Sequence, residues 1–249
     1  MYELTGLLFT LFIGMFILIG TAIVKLTKNN DKFVHFSISV ALGVIVSLLI
    51  LDLVPESFEL LGENYDSFVT TLMVIGFSTL GLLILMALES LIPNHGHGHG
   101  SELFHLGLVS SIAIILHNVI EGMAIYATVT TSVSMGLLMG LGVGLHNIPM
   151  GMVITSALDK SKTKISKTSI ILFLISISTF VGGLIMYLSG SILDSSTLLG
   201  IVLAITQGML VYIVVFELLP HIKHGNSKQN NIIGIIIGIL IMLISTLFH

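Results

Sequence analysis

Eight stretches of about twenty predominantly apolar residues follow one another along this chain, near positions 4–24, 34–55, 68–92, 104–126, 134–157, 168–190, 197–220 and 231–248. A bilayer's hydrocarbon core is about 30 Å thick, and a helix needs about 20 residues to cross it. Backbone amides and carbonyls find no water there, so a segment of this length must satisfy them within its own helix. The expected fold is an all-α integral membrane protein of eight transmembrane helices, one domain over 1–249, with the lipid bilayer as its first partner. Only 9% of the residues are charged, against roughly 25% in a soluble domain; that is too few to cover a water-facing surface. The first stretch has no basic residue ahead of it and no small-residue cleavage pattern, so it is expected to be a retained span rather than a secretory signal. Without Cys there is no disulfide and no thiolate metal site. Without Arg there is no basic patch for nucleic acid.

The lysines set an expected orientation. Lys25, Lys28 and Lys32 follow the first span, Lys160, Lys162, Lys164 and Lys167 the fifth, and Lys223 and Lys228 the seventh, whereas the alternate loops contain none. The positive-inside bias makes the lysine-bearing loops cytoplasmic and puts both termini outside. The loop expected outside after the second span is acidic, with Glu56, Glu59, Glu63 and Asp66. Such a cluster is ordinarily a solvated loop, and it would also attract cations to the outer mouth.

Two short repeats are embedded in this frame. His117-Asn118-Val119-Ile120-Glu121-Gly122-Met123 in the fourth span matches His146-Asn147-Ile148-Pro149-Met150-Gly151-Met152 in the fifth at four of seven positions, with one Val/Ile exchange. Asp52-Leu53-Val54-Pro55, expected to end the second span, matches Glu217-Leu218-Leu219-Pro220, expected to end the seventh. The orientation above puts Asp52 near the outer surface and Glu217 near the inner one. Successive spans run in opposite directions, so the repeats are inverted, with spans one to three and six to eight flanking a central pair. Inverted repeats with a polar site at their midplane junction are typical of transporter folds.

His117 and Glu121 are four residues apart and share a helix face, as do His146 and Met150. Neutral imidazole and carboxylate suit Zn²⁺ and neighbouring divalent metals, for which a thioether is a poor match. An acidic residue near the bilayer centre costs about 2.5 kcal/mol or more on insertion scales, and a bound cation would offset that. The competing reading of these residues is a hydrogen-bonded network that only joins helices. Pro149 removes one backbone hydrogen bond beside His146 and frees the Leu145 carbonyl, which predicts a local opening of the fifth helix.

With these residues in view, the chain resembles the ZIP (Zrt/Irt-like) family of metal transporters along its whole length. Its fourth span carries that family's His-Asn-x-x-(Glu or Asp)-Gly pattern as His117 to Gly122 and its fifth the His-x-x-Pro pattern as His146 to Pro149. The ends of the second span (Leu53 to Glu56) and seventh span (Tyr212 to Pro220) also match. The resemblance implies inward movement of Zn²⁺, or of Fe²⁺ or Mn²⁺, as substrate, with no organic cofactor, in a prokaryotic cytoplasmic membrane. It implies His117, Glu121 and His146 as ligands of one metal and Asn118 and Asn147 facing a second. Asp52, Glu56, Thr179, Glu217 and His221 are the corresponding gate or pathway residues. Met150 stands where a Glu or His is usual, and Thr179 where some members place a Glu, so the centre keeps one carboxylate. The expectation is therefore a single dication site. Met150 is open to two readings, packing or a soft ligand.

The tract His95-Gly96-His97-Gly98-His99-Gly100 lies in the loop after the third span, 93–103, expected to be cytoplasmic. Its histidines are either incidental or a weak metal acceptor at the exit. His35, His105, His221 and His224 fall at span ends, where interfacial solvation is the ordinary explanation; His221 is also placed to join an exit relay with Glu217. Two rival functions are compatible with the same residues. One is an intramembrane metal-dependent hydrolase, which lacks a His-Glu-x-x-His motif and a second mid-membrane carboxylate. The other is a metal-binding membrane protein that does not transport. A homodimer is compatible with the sequence.

Overall fold

The structure, a computed structural model, describes residues 2–27, 31–90, 99–189, 196–223 and 228–248, with no strand among them. Eight helices are long and apolar enough to cross a membrane: α1 Glu3–Leu26, α2 Asp31–Gly62, α3 Ser67–Ser90, α4 His99–Thr131, α5 Val133–Lys160, α6 Ile165–Ser189, α7 Ser196–Lys223 and α8 Lys228–Thr246. Their outward faces carry exposed Leu8, Phe12, Ile75, Leu83, Phe173 and Ile236, which is the surface expected against lipid. The chain is an integral membrane protein.

Several helices outrun the predicted spans. α2 has 32 residues, about 48 Å at 1.5 Å per residue against about 30 Å of hydrocarbon. The repeat around Pro55 does not end it. Residues Leu49–Leu53 form a π-turn and the helix continues as Val54–Gly62, with Pro55 in its first turn. α7 repeats the device: Ile213–Leu218 is a π-turn and Leu219–Lys223 continues the helix through Pro220. A π-turn inserts one residue, so the helix can absorb a proline that lacks an amide and would otherwise clash with the preceding turn. α5 runs unbroken through Pro149, so the opening expected there is limited to the missing amide.

Glycines fix the helix crossings. A Cβ on Gly122 (α4) would strike the backbone of Thr179 (α6), and one on Gly182 (α6) the backbone of Val119 (α4). The same reciprocal fit joins Gly20 of α1 to Gly151 of α5, Gly43 of α2 to Gly238 of α8, and Gly81 of α3 to Gly208 of α7. Close backbone approach at small residues is how helices associate without a hydrophobic driving force. The helices sort accordingly into two groups, α1, α4, α5 and α6 on one side and α2, α3, α7 and α8 on the other. They meet where α5 packs on α2 and α8 and α4 packs on α7. Exchanging α1–α3 with α6–α8 and α4 with α5 maps the crossing glycines, and the packing of α5 on α2 and of α4 on α7, onto one another, so the inverted repeat is architectural.

Candidate metal centre

Only Ser132 separates α4 from α5. Its backbone is extended (φ −148°, ψ 112°) and its hydroxyl accepts from the Met135 amide at 3.5 Å, capping α5. So short a connection forces the two helices antiparallel. His117 lies fifteen residues before Ser132 and His146 fourteen after it, about 22 and 21 Å along their helices. The two motifs therefore arrive at the same depth.

Both rings point at one carboxylate oxygen. Oε1 of Glu121 is 2.7 Å from Nε2 of His146 and 3.0 Å from Nε2 of His117, and all three side chains are buried. The contact to His146 is a hydrogen bond, whereas Nε2 of His117 has no hydrogen-bond partner among the described residues despite its proximity. Oε2 of Glu121 likewise has none. Two imidazole nitrogens and a carboxylate oxygen converging from two helices, incompletely satisfied by one another, form the donor set that a divalent ion accepts. Leaving a buried polar atom unpaired costs on the order of 1–3 kcal/mol, and coordination by an ion would recover it.

The other sequence-derived residues fall into three places. Asn118 points to α6, where its amide donates to the Ile175 carbonyl at 3.4 Å. Its Oδ1, both amide atoms of Asn147 and Oγ1 of Thr179 are buried without partners among the described residues. Met150 is fully buried and belongs to the largest apolar cluster. Asp52 and Glu56 line, with His117 and Glu121, a cavity of about 90 Å³ that runs toward the lysine-free end between α2, α4, α5 and α7. Glu56, expected in a loop, thus reaches the cavity because α2 continues past Pro55.

Toward the lysine-bearing end the structure assembles a cluster that the sequence did not suggest. His105 of α4, expected at an interface, stands between two carboxylates: its Nδ1 is 3.2 Å from Oε1 of Glu217 and its Nε2 is 3.3 Å from Oε1 of Glu89. His221 does not join the Glu217 carboxylate; its Nδ1–H donates to the Glu217 backbone carbonyl at 2.7 Å. Glu89 and His105 belong to no motif. The signal that could have found them is their position on consecutive spans, near the same end. His95 and His97 lie outside the described residues, and His99 to Leu103, expected in the loop, begin α4.

A membrane-embedded bundle with a buried His₂-carboxylate centre, and acidic side chains along the axis on either side of it, defines an ion-carrying protein. This chain belongs to the ZIP zinc transporter family, whose model matches residues 93–246. It is 30% identical to the zinc transporter ZupT of Chlorobium chlorochromatii over 96% of this chain and 95% of that protein. It is 31% identical to that of Chlorobium phaeovibrioides (97% of each chain) and 28% identical to that of Streptococcus mutans (98% and 97%). Membership in a family of transporters sets aside the hydrolase reading.

Proposed function

We propose that this chain moves a divalent transition-metal ion, Zn²⁺ first and Fe²⁺ or Mn²⁺ as alternatives, across a prokaryotic cytoplasmic membrane into the cytoplasm. The observation that carries this reading is the convergence of His117, Glu121 and His146 within 4.8 Å of one another in the buried centre. The cavity beside it supports an ion as substrate, since about 90 Å³ falls well below the roughly 300 Å³ at which pockets for organic ligands begin. The lysine-bearing ends face the cytoplasm in this reading, so Asp52 and Glu56 form the entry and Glu89, His105 and Glu217 the exit gate. Asn118, Asn147 and Thr179 offer neutral side-chain oxygens around one ion. With no further carboxylate among them, they would leave a second dication poorly neutralised. The softness of a thioether and the burial of Met150 in the apolar core support packing as its role. All site ligands come from one chain, so a homodimer would need to add nothing to the centre.

The test is metal uptake by the purified protein in proteoliposomes. His117→Ala and Glu121→Ala are expected to abolish uptake of Zn²⁺ while the protein still inserts and keeps its helical content. Wild-type uptake by either variant would remove the centre from the pathway, and a wild type that binds but never transports would support the non-transporting alternative.

A further inference from the structure

Nε2 of His146 faces Glu121 and His117 and is the nitrogen a metal would take, which requires that the ring keep its remaining proton on Nδ1. That proton needs an acceptor in a fully buried site. The neighbouring group is Oγ of Ser245, 3.4 Å from Nδ1 of His146, on the last turn of α8 and fully buried. A hydroxyl has one hydrogen, and here it is committed elsewhere: Ser245 donates to the Gly142 carbonyl at 2.7 Å. Gly142 is one turn before His146 on α5, so the hydroxyl is seated between that carbonyl and the imidazole. With its hydrogen occupied in the shorter contact, Oγ presents only lone pairs to Nδ1; once a metal takes Nε2 in place of the Nε2–H···Glu121 hydrogen bond, Oγ is placed to accept the proton that the ring then carries on Nδ1.

We propose that Ser245 is a positioning residue for the metal centre, whose hydroxyl, oriented by the Gly142 carbonyl, holds His146 with Nε2 free for the ion. Metal-bound histidines commonly donate their other nitrogen to such a partner, which fixes both tautomer and ring orientation. The contact is specific in another way. His117, Glu121 and His146 all belong to the group α1, α4, α5 and α6, whereas α8 packs mainly along α2 in the other group. Ser245 thus reaches the centre across the seam between the two groups. This role rests on the metal centre proposed above.

Two measurements on the full chain in detergent micelles test it. In ¹⁵N spectra of histidine-labelled, zinc-loaded protein, with His146 assigned by comparison with His146→Ala, Nδ1 of His146 is expected to carry the proton. Calorimetric titration with Zn²⁺ is expected to show affinity falling about 10- to 100-fold in Ser245→Ala. Ser245→Thr should keep more of the affinity than Ser245→Val, a pair that differs only by a hydroxyl for a methyl. An unprotonated Nδ1 in the loaded wild type, readable even if every variant misfolds, would overturn the proposal. So would wild-type affinity in a folded Ser245→Ala. If His146→Ala itself binds zinc normally, the centre is wrong; if it loses zinc while Ser245→Ala does not, only the role of Ser245 falls.

Discussion

Gly122 sits beside Glu121 at the crossing of α4 and α6, and replacing it with Ala tests both the packing and its coupling to the site. The added Cβ would meet the carbonyl oxygen, carbonyl carbon and Cα of Thr179. These are backbone atoms of a helix that is itself held at Gly182 by the backbone of Val119, so no side chain can rotate away. Overpacking of this kind costs typically 1–3 kcal/mol, while the helix gain of Ala over Gly returns about 0.5–1 kcal/mol. The middle of these ranges is a net loss of roughly 1 kcal/mol, or a melting temperature lower by roughly 2–4 °C for a chain of this size. Separation of α4 from α6 also moves Glu121, so the stabilisation that saturating Zn²⁺ adds should shrink. Gly76 on α3 is the control. A Cβ there would meet nothing within 4 Å, and Gly76→Ala should leave the melting temperature unchanged or raise it. The assay is thermal unfolding in detergent with and without Zn²⁺. If Gly122→Ala melts at or above the wild type, or if the two variants behave alike, the backbone-contact argument fails.

Met150→Leu should leave zinc stabilisation unchanged if Met150 is packing. Met150→Glu would bury a carboxylate one turn from His146, lowering stability in the absence of metal and increasing the stabilisation by Zn²⁺; loss of affinity in Met150→Leu would instead make the thioether a ligand. His105→Ala should slow uptake into vesicles while zinc affinity of the solubilised protein holds, since His105 bridges Glu89 and Glu217 away from the centre; reduced affinity would place it in the centre's support. The chain has no cysteine, so single cysteines report sidedness directly. One at Asn64 should be labelled by an impermeant thiol reagent on intact cells and one at Lys164 should not; the opposite result would reverse entry and exit.

The sequence alone carried the span count and the residues that converge at the centre, for definite physical reasons. Twenty apolar residues can cross a bilayer only as a helix, whatever surrounds them, so eight helices were legible without any tertiary contact. His117 and Glu121 were legible as a pair because i, i+4 spacing fixes a shared face. The match to His146-Asn147 was legible because the motif is copied. What tertiary structure decided is everything that depends on distance between helices, or on helix continuing where hydropathy fades. Hydropathy ends a span at the lipid boundary, yet α2 runs on through Pro55 and brings Glu56 to the cavity. The π-turns that permit this leave no signature beyond the prolines. Glu89, His105 and Glu217 come from three helices and share no periodicity, so only packing unites them. Ser245 is one hydroxyl among many in apolar helices; its place against His146 follows from how α8 is seated on α2 and α5, which glycines such as Gly43 and Gly238 determine by letting backbones touch.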